Sequence, residues 1–215
     1  MAIKNRIWLT ALPMNGRRGR PGGLPPQPFS RMRYPLFLDL TGQPVVVVGA
    51  GRVATRKIRS LLAAGARVTV ASPTATPAIR QLARRNRIRW LQRRYRRGDL
   101  RGARLVVAAT NNPETNGRVC AEANRRRLLV NCVAPPAAGN FIVPSVVRRG
   151  GVLLAISTGG ASPGFAKRLR SDLERFLGDG YPALLTKMAK QRRARVSGVG
   201  RNAAARRRSR PANAG

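Results

Sequence analysis

Short runs of β-branched residues alternate along the chain with segments whose apolar residues recur at helical spacing. The first run, VVVVG at 45–49, is almost uninterrupted, which is typical of a parallel strand buried on both faces. From Arg52 onward the apolar positions recur every three or four residues, and the pattern stops at Gly65. We therefore predict a strand, a turn and a helix that ends at the glycine.

The same alternation continues to residue 133. Further strands are predicted at 66–73, 103–110 and 128–133, with an edge strand at 87–95, and helices at 76–86 and 113–127. Strands that alternate with helices at this spacing predict an α/β fold, a Rossmann-like doubly wound parallel sheet. Right-handed crossovers bring the carboxyl ends of such strands to one edge, where ligands bind.

The pattern changes after this sheet. Residues 134–145 are predicted to be a loop, and 150–163 a strand followed by a glycine-rich turn. Ser162 and Pro163 then predict the start of a helix at 162–177. One face of that helix carries Phe165, Leu169, Leu173 and Phe176. We divide the chain into a basic extension at 1–31, a Rossmann domain at 32–143, a small helical unit at 144–195 and an Arg-rich tail at 196–215, and expect both ends to be disordered.

The charge of the chain is strongly unbalanced. Its 215 residues include 43 Lys and Arg against 7 Asp and Glu, a formal net charge of +36. All the acidic residues lie between Asp39 and Asp179, so the two ends are purely basic. Such a field attracts polyanions: nucleic acid, an anionic membrane or a small molecule with several carboxylates. A codon bias towards arginine would produce the same composition without any ligand.

Other features of the composition narrow the chemistry. The chain has no His, which excludes imidazole acid–base catalysis and His metal ligands. Cys120 and Cys132 lack the spacing of a metal or redox pair and are predicted to fill the core, so we expect no metal site. We recognise no membrane span and no secretory signal, and expect a cytoplasmic protein whose start codon, Met1 or Met32, stays open.

The glycine-rich turn after the first strand predicts a dinucleotide site. Gly49, Gly51 and Ala54 form the pattern G-x-G-x-x-A between a predicted strand and a predicted helix. The first glycine allows a tight turn, the second lets the backbone approach a pyrophosphate, and alanine lets helix and strand pack closely. The N-terminus of the helix then offers free N–H groups and a positive dipole end.

The ends of the later strands hold further candidates. The second strand ends in Ser72, Pro73 and Thr74, without the carboxylate that holds an adenine ribose, so NAD and NADP stay open. Ser72 or Thr74 would bind a ribose hydroxyl, and Arg67 would favour a 2′-phosphate or be a solvated charge. Asn111 and Asn112 would face the nicotinamide half or cap the next helix. The turn at 157–163 would bind an anion or cap its helix.

These stretches, in this order, resemble the precorrin-2 dehydrogenase family, the N-terminal module of siroheme synthases. The resemblance runs from about Arg33 to about Arg195 and rests on YPLFLDLTGQPVVVVGAGRVATRKIRSLLAAGARVTVASP, VVAATNNPETN, VNCVAPPAAGNFIVPSVVRRG and LLAISTGGASPGFAKRLR. The glycine motif is generic, whereas NFIVPS and STGGASP are far more specific.

The resemblance implies an NAD-dependent oxidation of precorrin-2 to sirohydrochlorin, in the route to siroheme. It also implies a homodimer whose interface includes the unit at 144–195. Carried over by position, the dinucleotide contacts include Arg52, Val53, Pro73 and Thr74, and the substrate contacts Asn131, Thr158 and Ser162. A cationic cleft suits a tetrapyrrole that bears eight carboxylates.

At one position the chain departs from some members of that family. Members that also insert iron carry an Asp just after the fifth strand, where this chain has Ala134. Alanine neither accepts a proton nor holds a metal, so we expect no ferrochelatase activity and can name no catalytic base. The alternatives are a bifunctional dehydrogenase and ferrochelatase, or a non-catalytic module that binds a dinucleotide or polyanions, with nucleic acid contacted only through the basic ends.

Overall fold

Five parallel strands form the main sheet, in the order β3-β2-β1-β4-β5. The computed structural model describes residues 33–193, so the predictions for 1–31, for the start at Met32 and for the tail at 196–215 lie outside the described residues. The strands are β1 Pro44–Val48, β2 Arg67–Ala71, β3 Arg89–Leu91, β4 Leu105–Ala108 and β5 Leu129–Cys132. The predicted α/β fold with a Rossmann-like sheet is confirmed.

The central strand β1 is buried on both faces, as its unbroken valine run predicts. It pairs with β2 on one side and with β4 on the other. Val45 and Val47 pack into the core on one face of the sheet, and Val46 and Val48 into the core on the other. The strand order therefore reverses beside β1, which is the switch point where α/β sheets open a crevice for ligands.

Three helices cover the sheet. They are α1 Arg52–Ala63, α2 Pro77–Arg84 and α3 Pro113–Arg125. Ala54 and Ile58 of α1 and Ile79 of α2 are buried in one core, whereas Val119 and Ala123 of α3 are buried in the other. The helices α1 and α2 thus lie on one face of the sheet and α3 on the opposite face.

The second part of the described chain is an antiparallel hairpin followed by helices. Its strands are β6 Ser145–Arg149 and β7 Val152–Ile156. The helix α4, Pro163–Leu177, begins at a Ser162 cap as predicted, and residues 180–193 are helical again. The strand β6 was not predicted. Its pattern, two valines followed by two arginines, carries little signal because this strand depends on β7 for its hydrogen bonds.

A buried carboxylate ties the segment after β3 to α3. Glu122 of α3 accepts hydrogen bonds from the Tyr95 hydroxyl, from the backbone N–H of Gly98 at 3.2 Å and from Arg126 at 2.9 Å. Burial alone would raise the pKa of Glu122, but these donors together hold it below the ordinary value of 4.5. The group is therefore charged at neutral pH and fully partnered.

Within residues 33–193 no helix is both long enough and apolar enough to cross a membrane.

Candidate functional site

The carboxyl ends of β1, β2, β4 and β5 lie along one edge of the sheet and carry most of the predicted site residues. Backbone hydrogen bonds hold the strand ends together, from Gly49 N–H to the Ala71 carbonyl and from Ala109 N–H to the Val48 carbonyl, both at 2.9 Å. The loops that follow these strands therefore begin at backbone positions that are fixed relative to one another.

The first glycine of the motif fills a position that admits no side chain. Gly49 has φ +105°, a conformation that L side chains rarely adopt. A Cβ added to it would lie 2.7 Å from the carbonyl carbon of Ala109 and nearer still to the carbonyl oxygen. The end of β4 thus passes directly beside the turn, and the predicted role of Gly49 as the tight-turn residue fits this geometry.

The second glycine leaves free space in front of a helix end. Gly51 is the N-cap of α1, makes no side-chain cap bond, and a Cβ added to it would meet nothing within 4 Å. Arg52 and Val53 are exposed at the first helical positions, whereas Ala54 is fully buried against the sheet. Open space before free N–H groups at a positive dipole end is what a pyrophosphate needs, so the residues present fit a dinucleotide.

The turn after β2 is built by Ser72. This residue is buried, its hydroxyl donates to the Thr74 carbonyl at 2.7 Å, and its own carbonyl accepts a hydrogen bond from Trp90 Nε1 at 3.0 Å. Pro73 and Thr74 are exposed at the tip of the turn. The hydroxyl hydrogen of Ser72 is used inside the turn, so only its lone pairs remain for a ribose.

The suggestion that Arg67 favours a 2′-phosphate is wrong. Arg67 is the first residue of β2, at the amino end, and its Nε donates to the Gly42 carbonyl at 2.8 Å. It lies at the opposite end of the strand from Thr74. Two arginines that sequence reasoning missed, Arg80 and Arg84 of α2, instead line a cavity that includes Pro73 and Thr74. Their spacing of four residues in the helix after β2 was the available signal.

The two asparagines that follow β4, Asn111 and Asn112, have different surroundings. Asn112 caps α3, since its Oδ1 accepts from Thr115 N–H at 2.6 Å, while Asn111 is exposed at the strand end. A third amide, Asn116, was missed. It is fully buried and bonds both Thr110 and the carbonyl of Ala134, at 3.1 Å from its Nδ2. Asn116 thereby fixes the loop after β4 against the loop after β5.

The predicted substrate residue Asn131 takes part in a second network that sequence reasoning missed. Its Oδ1 accepts a hydrogen bond from Lys57 Nζ at 2.7 Å, and its Nδ2 donates to the Phe141 carbonyl at 3.2 Å. Burial, with Arg56 beside it, lowers the pKa of Lys57. No sequence spacing links Lys57 to Asn131, because the helix α1 brings them together across 74 residues.

The remaining predicted substrate residues lie in the turn between β7 and α4. The Thr158 hydroxyl and the Ser162 backbone bond each other at 3.2 Å, and Ser162 Oγ accepts from the Phe165 N–H. This geometry fits the capping interpretation of the turn. Contact of Thr158 and Ser162 with a substrate stays a prediction.

Two further observations concern metals and thiols. Among residues 33–193 no three side chains of His, Cys, Asp or Glu come together as a metal-binding group. Cys120 and Cys132 are buried free thiols, and burial beside the second thiol raises the pKa of Cys120 to about 12. A thiol with so high a pKa is unreactive at neutral pH, which suits a packing role.

Comparisons with known proteins find matches to both parts of the described chain. A family model described as putative NAD(P)-binding matches residues 36–145, and one described as sirohaem biosynthesis protein central matches residues 149–175. The precorrin-2 dehydrogenase of Bacillus subtilis is 33% identical over 159 residues, which cover 74% of this chain and 98% of that protein. A solved structure titled SirC, precorrin-2 dehydrogenase, is also 33% identical, with a TM-score of 0.65 over 74% of this chain and 78% of that one.

Longer relatives match as well. Siroheme synthase 3 of Aeromonas hydrophila is 43% identical over 143 residues, 66% of this chain but 31% of that protein. The chain thus spans about a third of the length of that siroheme synthase.

Proposed function

The chain belongs to the precorrin-2 dehydrogenase family, and we propose that it oxidises precorrin-2 to sirohydrochlorin with NAD as the hydride acceptor. The observation that carries the proposal is the space before α1: Gly51 leaves it open, at a helix end without a side-chain cap. The near-complete overlap with the precorrin-2 dehydrogenase of Bacillus subtilis supports the choice of substrate.

The residues of the chain bind and orient the two reactants. The N–H groups of Arg52 and Val53 would hold the pyrophosphate, Pro73 and Thr74 would border the adenosine, and Asn111 would be available to the nicotinamide half. NAD, when bound, would supply the acceptor for a hydride from a reduced carbon of the macrocycle, and the substrate would lose a proton in the same oxidation. The chain offers no carboxylate at Ala134 to take that proton.

Fixed cations suit the charge of the substrate. Residues 34–186 contain 26 Lys and Arg against 7 acidic residues, so the net positive charge attracts a molecule with several carboxylates. Lys57 is held half-buried near the end of β5 by Asn131, and its ammonium group is in place to bind one carboxylate directly. The proposed site therefore combines general attraction with one positioned cation.

We further propose a homodimer, in the cytoplasm, whose interface includes α4 and the helical residues 180–193. These segments expose large apolar side chains in the single chain: Phe165, Phe176, Tyr181, Leu184, Leu185 and Met188. The rings of Phe176 and Tyr181 lie 5.6 Å apart and continue the apolar surface from one helix to the next. A continuous apolar surface of this kind indicates a protein partner.

The decisive experiment is anaerobic turnover of precorrin-2 by the full chain. We expect one NADH for each sirohydrochlorin formed, followed by absorbance, and a large loss in Gly51→Ala. The matched control is Gly117→Ala, which adds the same methyl group to open space on α3. NAD binding without turnover would favour the non-catalytic module, and insertion of added cobalt or iron would favour the bifunctional enzyme.

A further inference from the structure

A cavity beside the end of β2 has the chemistry of a phosphate site. We propose that this chain also accepts NADP, and that Arg80 and Arg84 hold the 2′-phosphate of its adenosine there. The inference rests on the proposed function, because it requires a dinucleotide to lie across the strand ends with its pyrophosphate at α1.

The cavity has a volume of about 350 Å³ and opens where β2 ends. It is bordered by the turn after β2, by one face of α2 and by the end of β3, through Pro73, Thr74, Arg80, Arg84, Trp90 and Gln92. In α/β dinucleotide domains the end of the second strand is where the adenine ribose lies. A group on the ribose 2′ position would therefore lie close to this cavity.

The charges around the cavity favour an anion. The turn 72–74 has no carboxylate, and an acidic residue there would bind the 2′-hydroxyl and repel a phosphate. Within residues 33–193 neither Arg80 nor Arg84 forms a salt bridge. The nearest acidic residue along the chain, Asp99, is occupied by Arg93 through two bonds of 2.8 and 2.9 Å. Both guanidinium groups are thus available to a ligand.

The helix that carries the arginines is fixed to the glycine-rich turn. Thr76 caps α2, its N–H donates to the Ala50 carbonyl at 3.2 Å, and its hydroxyl bonds the Thr55 hydroxyl of α1 at 3.0 Å. Arg80 and Arg84 are four residues apart and so lie on one face of α2. The backbone positions of Arg80 and Arg84 are consequently fixed relative to the glycine-rich turn, and planar guanidinium suits bidentate contact with phosphate.

The test compares ligands that differ only in the 2′-phosphate. Binding of adenosine 2′,5′-bisphosphate and of 5′-AMP to the full chain is measured by calorimetry, together with NADP and NAD; Trp90, which lines the cavity, gives a fluorescence signal. We expect the 2′-phosphate to increase affinity by about 10- to 100-fold, as two charge-assisted contacts supply. In the double variant Arg80→Ala/Arg84→Ala that ratio should fall to about one.

A control variant distinguishes binding at Arg80 and Arg84 from the general attraction of an anion to a positively charged protein. Arg104→Ala removes one exposed charge at the amino end of β4, at the opposite end of the sheet, and should leave the ratio unchanged. Equal affinities in the unmodified chain, a ratio that survives the double variant, or an equal loss in Arg104→Ala would overturn the inference. Tight NAD binding with any of these results leaves the proposed function standing, whereas failure to bind either dinucleotide removes both.

Discussion

Alanine substitutions at the two glycines of the turn should have different effects. Gly49→Ala should lower the stability of the fold, whereas Gly51→Ala should lower the affinity for NAD. In Gly49→Ala the new Cβ would overlap the backbone of Ala109, which belongs to a paired strand end and has no rotamer to change. The positive φ adds about 1–3 kcal/mol of strain and the overlap about 1–3 kcal/mol. We expect a loss of about 4 kcal/mol from a total stability of about 5–15 kcal/mol, or a melting temperature about 8–16 °C lower.

Gly51→Ala is the matched substitution two residues away. Its φ of −77° is allowed to alanine and its Cβ would meet no protein atom within 4 Å, so stability should change by less than about 1 kcal/mol. The methyl group would occupy the space that the pyrophosphate approaches, and NAD affinity should fall about tenfold or more. Thermal unfolding and calorimetric titration measure the two effects separately. A Gly49→Ala protein that melts with the unmodified chain, or a Gly51→Ala protein with full NAD affinity, would refute the reasoning.

Four further outcomes follow from the structure. Asn116→Ala should lower stability by about 2–4 kcal/mol in urea, because the Thr110 N–H and the Ala134 carbonyl lose their buried partner. Glu122→Gln should cost about 1–3 kcal/mol at pH 7 and progressively less below pH 4.5, since a lowered folded pKa stabilises only above that range. If the chain forms the proposed homodimer, Phe176→Glu should give a monomer in light scattering, whereas Gln81→Glu on exposed α2 should leave the dimer intact. Ala134→Asp, at an exposed position, should add cobalt insertion in an absorbance assay without loss of stability.

Each of these outcomes has a contrary result. A stable Asn116→Ala would mean that the two loops are fixed by other contacts. A stability difference for Glu122→Gln that persists at pH 3 would show that packing rather than charge is lost. A dimeric Phe176→Glu would place the interface elsewhere, and an inert Ala134→Asp would show that metal insertion needs groups this chain lacks.

Local signals made most of the fold predictable from sequence. The uninterrupted valines of β1 and the prolines that start α2 and α3 act within a few residues, so these elements lie where they were expected. The strand β3 is shorter than its predicted range of 87–95, because it pairs only with β2 over three residues. The strand β6 escaped prediction because its hydrogen-bond partner, rather than its own pattern, makes it a strand.

Sequence predicted those parts of the candidate site that depend on the conformation of the backbone, and it did not predict the contacts between distant side chains. Gly49 and Gly51 act through the absence of a side chain, and this requirement is visible in the motif itself. The contacts of Lys57 and Asn116 depend on segments 74 and 18 residues away, which no local pattern shows. Arg67 shows most directly what a local pattern cannot predict. It was considered as a phosphate ligand because it is close to β2 in sequence, but it lies at the amino end of that strand, away from the edge where ligands bind.

The large positive charge and the two cavity arginines should act on binding in different ways. Arginines spread over the surface attract any polyanion, and their long-range effect weakens as salt shortens the screening length to about 10 Å at 0.1 M. In the proposed site Arg80 and Arg84 would act at a distance shorter than the screening length, so more of their effect on the ratio of two ligand affinities should survive added salt. Because the 2′-phosphate adds negative charge, raising the salt concentration should lower affinity most for the ligand that carries it, and the preference should decrease to the part that Arg80 and Arg84 supply. A preference that remains at high salt would indicate that selectivity comes from where α2 is fixed and not from how many arginines the sequence contains.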